Sequence, residues 1–203
     1  MKKLDLRRQF KPLLSPPSKE VVVVQVPRAQ FLMIDGQGDP NAAAFHEAMQ
    51  ALYALSFGLK FTLKKEKAID YPVMPMEGLW WTEGVEWFDM TRRQDWRWTL
   101  MILQPDVVTK TWCQRLRAET LEKGKAPAAV HARLEPFREG RCVQIMHLGP
   151  YATEGPTIAR LHDAMRQKGW VPNGHHHEIY LGDPRRSAPE KLRTVLRQPV
   201  RAG

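Results

Sequence analysis

The chain has 203 residues, a formal net charge of +9 from 31 basic and 22 acidic side chains, and two cysteines. That length holds one domain or two small halves, and 43% hydrophobic residues with seven tryptophans exclude global disorder. Two cysteines exclude a disulfide framework, and no apolar run approaches the roughly 18 residues that span a bilayer, so the expectation is a cytoplasmic protein without membrane segments.

Residues 1–20 read as a leader in which Pro12, Pro16 and Pro17 break any helix. The β-branched run 21–26 predicts a strand, 27–29 a turn, and 30–35 a second strand. Gly36-Gln37-Gly38-Asp39-Pro40-Asn41 turns the chain, with Asp39 or Asn41 able to cap a helix beginning just after it. Phe45, Ala48, Met49, Leu52, Leu55 and Leu59 keep helical spacing, which predicts a helix over 42–59. The stretch 69–81 reads as extended and irregular around Pro72 and Pro75. A polar loop occupies 83–95, a strand 96–103 and a helix 109–123. Segments 132–137 and 141–148 predict a hairpin around Glu139-Gly140. A helix then runs to Lys168, stopped by Gly169, and 176–181 and 192–198 are the last strands.

This order reads as two similar halves, about 21–105 and 130–200, in one domain over 21–203. A shift of 113 residues (147 − 34) carries Ile34-Asp35-Gly36 onto His147-Leu148-Gly149. The same shift carries Phe45, Ala48 and Leu52 onto Ile158, Leu161 and Met165, one helical stripe onto another. The fold class implied is α+β: duplicated βαββ units forming one curved antiparallel sheet, with helices packed on one face and a ligand groove on the other.

Strand residues alternate faces. Of His176-His177-Glu178-Ile179-Tyr180-Leu181, the more apolar set His177, Ile179, Leu181 is assigned to the helix-packed core. His176, Glu178 and Tyr180 then point into the groove. A carboxylate desolvated among aromatics there would suit cation binding or proton abstraction. Trp80, Trp81, Trp98, Trp112 and Tyr151 are candidate pocket walls, although packing alone would account for each tryptophan singly. Three successive histidines, 175–177, diverge along a strand and do not form a chelating set, so no metal is expected. Cys113 and Cys142 lack a CxxC spacing, and no GxSxG, HExxH or Walker pattern occurs. Gly36-Gln37-Gly38 lacks the rest of a phosphate loop. The basic residues are scattered, without an aromatic-interleaved stripe, which argues against a nucleic-acid partner.

Gly149-Pro150-Tyr151 and His176 through Leu181 resemble the GyrI-like small-molecule-binding domains. So do Phe31 to Pro40, Glu77 to Trp81, Trp96 to Pro105, Asp183-Pro184-Arg185-Arg186 and Arg197-Gln198-Pro199-Val200. The resemblance covers essentially the whole chain and is nearer the stand-alone branch than the multidrug-responsive regulators. It implies a duplicated βαββ fold, a groove for amphipathic, aromatic or cationic compounds, no cofactor, and an acidic groove residue at the position of Glu178. Some stand-alone members hydrolyse cyclopropanoid DNA-alkylating compounds, and that activity would assign catalysis to Glu178, Glu77 and Tyr71. Ligand contacts would fall to Trp80, Trp81, Trp98, Trp112, Tyr151, His176 and Tyr180. Three readings stay open: a detoxifying hydrolase, a protein that sequesters such compounds unchanged, and a gyrase- or nucleic-acid-interacting module. The oligomeric state is left undetermined.

Overall fold

The computed structural model describes residues 1–184 and 186–203. Arg185, in the 183–186 segment that carries part of the resemblance, lies outside the described residues. The first element is the two-residue β1 (Lys2–Lys3), followed by short helices α1 (Leu6–Gln9) and α2 (Lys11–Leu14). The leader therefore carries helix despite its prolines, because Pro12 falls in the first turn of α2, where a missing N–H costs nothing.

Next come β2 (Val22–Val26), β3 (Ala29–Gln37), α3 (Ala43–Lys67), β4 (Ile69–Asp70), β5 (Met76–Thr82) and β6 (Trp96–Gln104). After α4 (Lys110–Glu122) follow β7 (Arg133–Phe137), β8 (Gly140–Leu148), α5 (Gly155–Gln167), β9 (Trp170–Pro172), β10 (His176–Tyr180) and β11 (Arg193–Ala202). Helix α3 runs two turns beyond the expected end, since Leu63 extends the buried stripe of Ala48, Ala51, Leu52, Leu55 and Leu59. It stops at Ala68, which adopts the left-handed conformation (φ 53°) and donates its N–H to the Leu63 carbonyl.

One nine-stranded sheet has the order β2-β8-β11-β10-β5-β6-β3-β7, with β9 alongside β11. All its pairings are antiparallel. Strands β5-β6-β3 with α3, and β10-β11-β8 with α5, are two equivalent halves joined where β5 pairs with β10. Helix α3 packs on β3 and β6, and α5 on β8 and β11.

The expected hairpin at Glu139-Gly140 does not form. Strand β7 pairs with β3 at one edge, while β8 pairs with β2 and β11 towards the other. The two residues between β7 and β8, and the two between β2 and β3, each link the two edges. Three peptide steps reach at most about 11 Å, so the sheet is rolled until its edges meet. Phe10, Leu13 and Leu14 of the leader line the space enclosed, together with Phe31, Leu103 and Ile179. What remains there is a cavity of about 30 Å³, room for about two water molecules and too small for an aromatic ligand. Among the described residues, no helix is long and apolar enough to cross a membrane.

Candidate functional site

The two faces of β10 serve different ends, and their assignment is the reverse of the expectation. His177 and Ile179 face the leader: Ile179 packs with Met146, Val195 and Leu14. His176, Glu178 and Tyr180 share the face that carries α3 and α5. The register shows it, since Glu178 lies opposite Leu196, and Leu196 packs with Ile158, Leu161 and Met165 of α5. Apolar content misleads here because the leader, a second apolar layer, covers the side taken as open.

On the helix face, aromatic rings form a continuous layer across β5, β6 and β10. Trp80 stacks on Phe45 of α3 (5.7 Å) and meets Trp96 edge-on (5.4 Å). Trp98, register partner of Trp80, meets Phe45 edge-on at 5.3 Å. Two glycines make room. A Cβ on Gly36 would lie 2.1 Å from the Trp98 ring, and one on Gly78 would lie 2.8 Å from Trp80 Nε1 and 2.9 Å from the Tyr180 hydroxyl. The 83–95 loop closes over this layer: Phe88 stacks flat on His176 at 4.5 Å, and Trp87 meets His162 of α5 at 4.9 Å.

A directed hydrogen-bond relay sits at the centre. Trp80 Nε1 donates to the Tyr180 hydroxyl (2.9 Å), which donates to Glu178 Oε2 (2.8 Å). Tyr151 packs edge-on against Tyr180 at 5.5 Å. Burial, reinforced by the Glu178 charge, pushes the Tyr180 phenol well above its ordinary value. Burial together with Glu154 and Glu178 pushes Tyr151 up to about 12, so both remain donors at neutral pH. His176 Nε2 lies 3.4 Å from Glu178 Oε1.

Sequence reasoning missed Glu154. It immediately precedes α5 and is 1% exposed, with its carboxyl in hydrogen-bonding reach of Glu178. Burial first, then the Glu178 charge, push its carboxyl well above the ordinary carboxylate range. The signal was present in Glu154-Gly155-Pro156: an acid just before a helix-opening proline. Such acids usually read only as partners of the helix dipole.

Of the expected catalytic residues, the structure brings only Glu178 to this site. Ile179 pairs with Glu77 across the strands, so Glu77 shares the leader face and meets His177 Nε2 at 2.9 Å. His177 Nδ1 meets Glu139 Oε1 at 2.9 Å, and Arg197 binds Glu139 Oε2 (3.0 Å), Gln144 and the Leu13 carbonyl. Burial opposes the Glu139 charge, but His177 and Arg197 outweigh it and hold its pKa at about 2. This network fastens the leader to the sheet. Tyr71 is buried beside Cys113 of α4, away from Glu178, and burial raises its pKa.

Of the expected ligand contacts, Trp80, Trp98, Tyr151, His176 and Tyr180 converge on the helix face. Trp81 points the other way and stacks on His175 at 4.0 Å, and Trp112 lies on α4 under Arg115. Pleat alternation explains Trp81. Trp112 belongs to a helix that packs on α3 rather than on the central strands.

A family model described as a GyrI-like small molecule binding domain matches residues 19–201. The crystal structure of an uncharacterized conserved protein from Listeria innocua is 36% identical with a TM-score of 0.88, over 98% of this chain and 100% of that one. A Listeria innocua crystal structure described as a hydrolase is likewise 36% identical, with a TM-score of 0.86 over 98% of this chain and 100% of that one. The EcmrR C-terminal domain shares the fold, with a TM-score of 0.56 at 8% identity, over 91% of this chain and 98% of that one. No curated protein matches the sequence.

Proposed function

The chain belongs to the GyrI-like small-molecule-binding domain family, and from that premise we propose that it binds flat amphipathic compounds between α3 and α5 and hydrolyses a strained electrophile there. The observation that carries the reading is the relay from Trp80 through Tyr180 to Glu178 beneath an aromatic layer. Support also comes from the hydrolase description of a full-length relative from Listeria innocua.

A cyclopropane conjugated to a dienone needs no strong nucleophile. Water attacks the ring carbon while Glu178 takes its proton. The ring C–C bond breaks and its electron pair moves to the dienone oxygen as the system becomes aromatic. Tyr151 is the proposed donor to that oxygen. Tyr180 holds the Glu178 carboxylate in one orientation, and Trp80, Trp98 and Phe45 provide the flat surfaces. Water exclusion comes from the 83–95 loop, through Phe88.

Incubation with a cyclopropanoid should yield the ring-opened product 18 mass units heavier, the mass of one added water. Glu178→Gln should lower the rate on the order of 100-fold or more, as loss of a positioned base does. Tight binding without product in the wild type would leave sequestration as the function. Unchanged turnover in Glu178→Gln would overturn the role of Glu178.

A further inference from the structure

Between α3, α4 and the edge strand β7 lies a cavity of about 150 Å³. Its floor is Leu32 of β3, Leu55 and Leu59 of α3 and Leu134 of β7, all of them buried. Gly58 lets α4 approach α3 closely, since a Cβ there would lie 3.0 Å from Leu116 Cδ1. On the side towards β7 the residues available to fill the gap are small: Cys113 on α4 and Ala132 just before the strand. Protein interiors pack closely, and an apolar space of this size is costly to leave unfilled. A cavity of this volume holds a benzene-sized ring.

The mouth of the cavity carries positive charge. Lys110, Cys113, Gln114 and Arg117 form its α4 wall, and their spacing places them on one stripe of the helix. Arg117 is half-buried and its Nη1 donates to the Ala132 carbonyl at 3.2 Å, which holds the guanidinium at the rim. Its Nη2 has no partner among the described residues, and the exposed Lys110 forms no ion pair among them. Glu135 borders the cavity without cancelling these charges. It alternates with Leu134 along β7 and so points to the other face of the sheet, where Arg133 meets it at 3.4 Å and Asp35 at 2.7 Å.

We propose that this cavity binds a small amphipathic monocarboxylate, with its ring or short alkyl chain on the four leucines and its carboxylate on Arg117 and Lys110. Charge-assisted bonds from a guanidinium favour a carboxylate over a neutral group of the same shape. The volume admits one ring and not the larger flat compounds assigned to the cleft between α3 and α5. Trp80, Glu178 and Tyr180 do not border this cavity, so the two sites are separate and each stands without the other.

Cys113 supplies the reporter. Its thiol lines the cavity, and burial pushes its pKa up to about 11, so it is labelled at mildly alkaline pH. Cys142 is 0% exposed, so a small thiol reagent should modify Cys113 first, with the site assigned by peptide mass. Benzoate, benzyl alcohol and benzylammonium are the probes. With half-saturation at about 1 mM, benzoate at about 10 mM should slow the modification about tenfold. The alcohol and the ammonium ion at the same concentration should leave the rate unchanged. Arg117→Met keeps an apolar stem and should weaken protection by benzoate about tenfold. In the wild type, nuclear Overhauser contacts from the benzoate ring to the methyls of Leu55, Leu59 and Leu134 should place the ring without any variant. Equal protection by all three probes overturns the carboxylate selectivity, and unchanged protection in Arg117→Met overturns the role of Arg117. Contacts to Trp80 and Tyr180 in place of the leucines overturn the site. Absence of protection by benzoate at about 20 mM shows a cavity that holds water alone and overturns the proposal, while turnover in the cleft is measured separately and is untouched by that result.

Discussion

His177 is enclosed with a carboxylate on each ring nitrogen, Glu77 on one side and Glu139 on the other. Burial alone would lower its pKa, but the charge and hydrogen bond of Glu139 and the contact with Glu77 raise it. A raised imidazole contributes stability that is complete below its unfolded value of about 6.5 and is lost as pH rises through the folded value. Glu139, held at about 2, contributes stability that is complete above its ordinary 4.5 and is lost as pH falls towards 2. Stability should therefore peak between about 4.5 and 6.5 as far as this network decides it. Glu139→Gln leaves the buried Arg197 without its carboxylate and His177 with Glu77 alone, so urea unfolding at pH 6 should show a loss of about 3–5 kcal/mol and a shallower acid limb. An unchanged midpoint would remove the network as an anchor. Glu178 and Tyr180 were legible as neighbours because residues two apart on a strand share a face. Glu154 was not, because its partner lies 24 positions away (178 − 154) in another element.

At the scale of elements, two glycines decide where the tryptophans of β6 and β5 lie. Gly36→Ala drives a methyl into the Trp98 ring and should cost about 1–3 kcal/mol, with a changed near-ultraviolet dichroism spectrum. Gly78→Ala meets instead the Trp80 Nε1 and the Tyr180 hydroxyl, donor and acceptor of the first hydrogen bond of the relay. Its expected signature is weakened ligand quenching and turnover out of proportion to any shift in melting temperature. Equal losses in both properties would argue that the relay has no separate role. Periodicity located α3, α5 and the central strands, because each buries a regular stripe. It could not say which strands pair. The adjacent runs 133–137 and 140–148 look like a hairpin, yet β3 and β11 compete for them and win.

Across the whole molecule, the leader completes the rolled sheet from inside. Leu6 is buried, Phe10, Leu13 and Leu14 line the interior, and Arg197 and Gln144 hold the Leu13 and Pro12 carbonyls. Removing residues 1–18 should lower the melting temperature and create binding of a hydrophobic dye, since Ile179, Met146 and Val195 lose their cover. A truncated chain with unchanged melting and no dye binding would show the leader to be dispensable. Part of the positive charge is engaged in ion pairs, among them Lys60 and Lys64 with Asp70, Arg115 with Glu66 and Glu119, and Arg133 with Asp35 and Glu135. The amino-acid sequence by itself determined the α+β class, the two similar halves and the shared face of His176, Glu178 and Tyr180, because these follow from local periodicity and residue type. Only the tertiary structure decided which face of β10 meets the helices, that Glu77 belongs to a structural ion network, and that Glu154 joins Glu178. Those outcomes depend on which distant segment covers each face of the sheet, and pleat alternation, being symmetric, assigns residues to two faces without saying what lies above either.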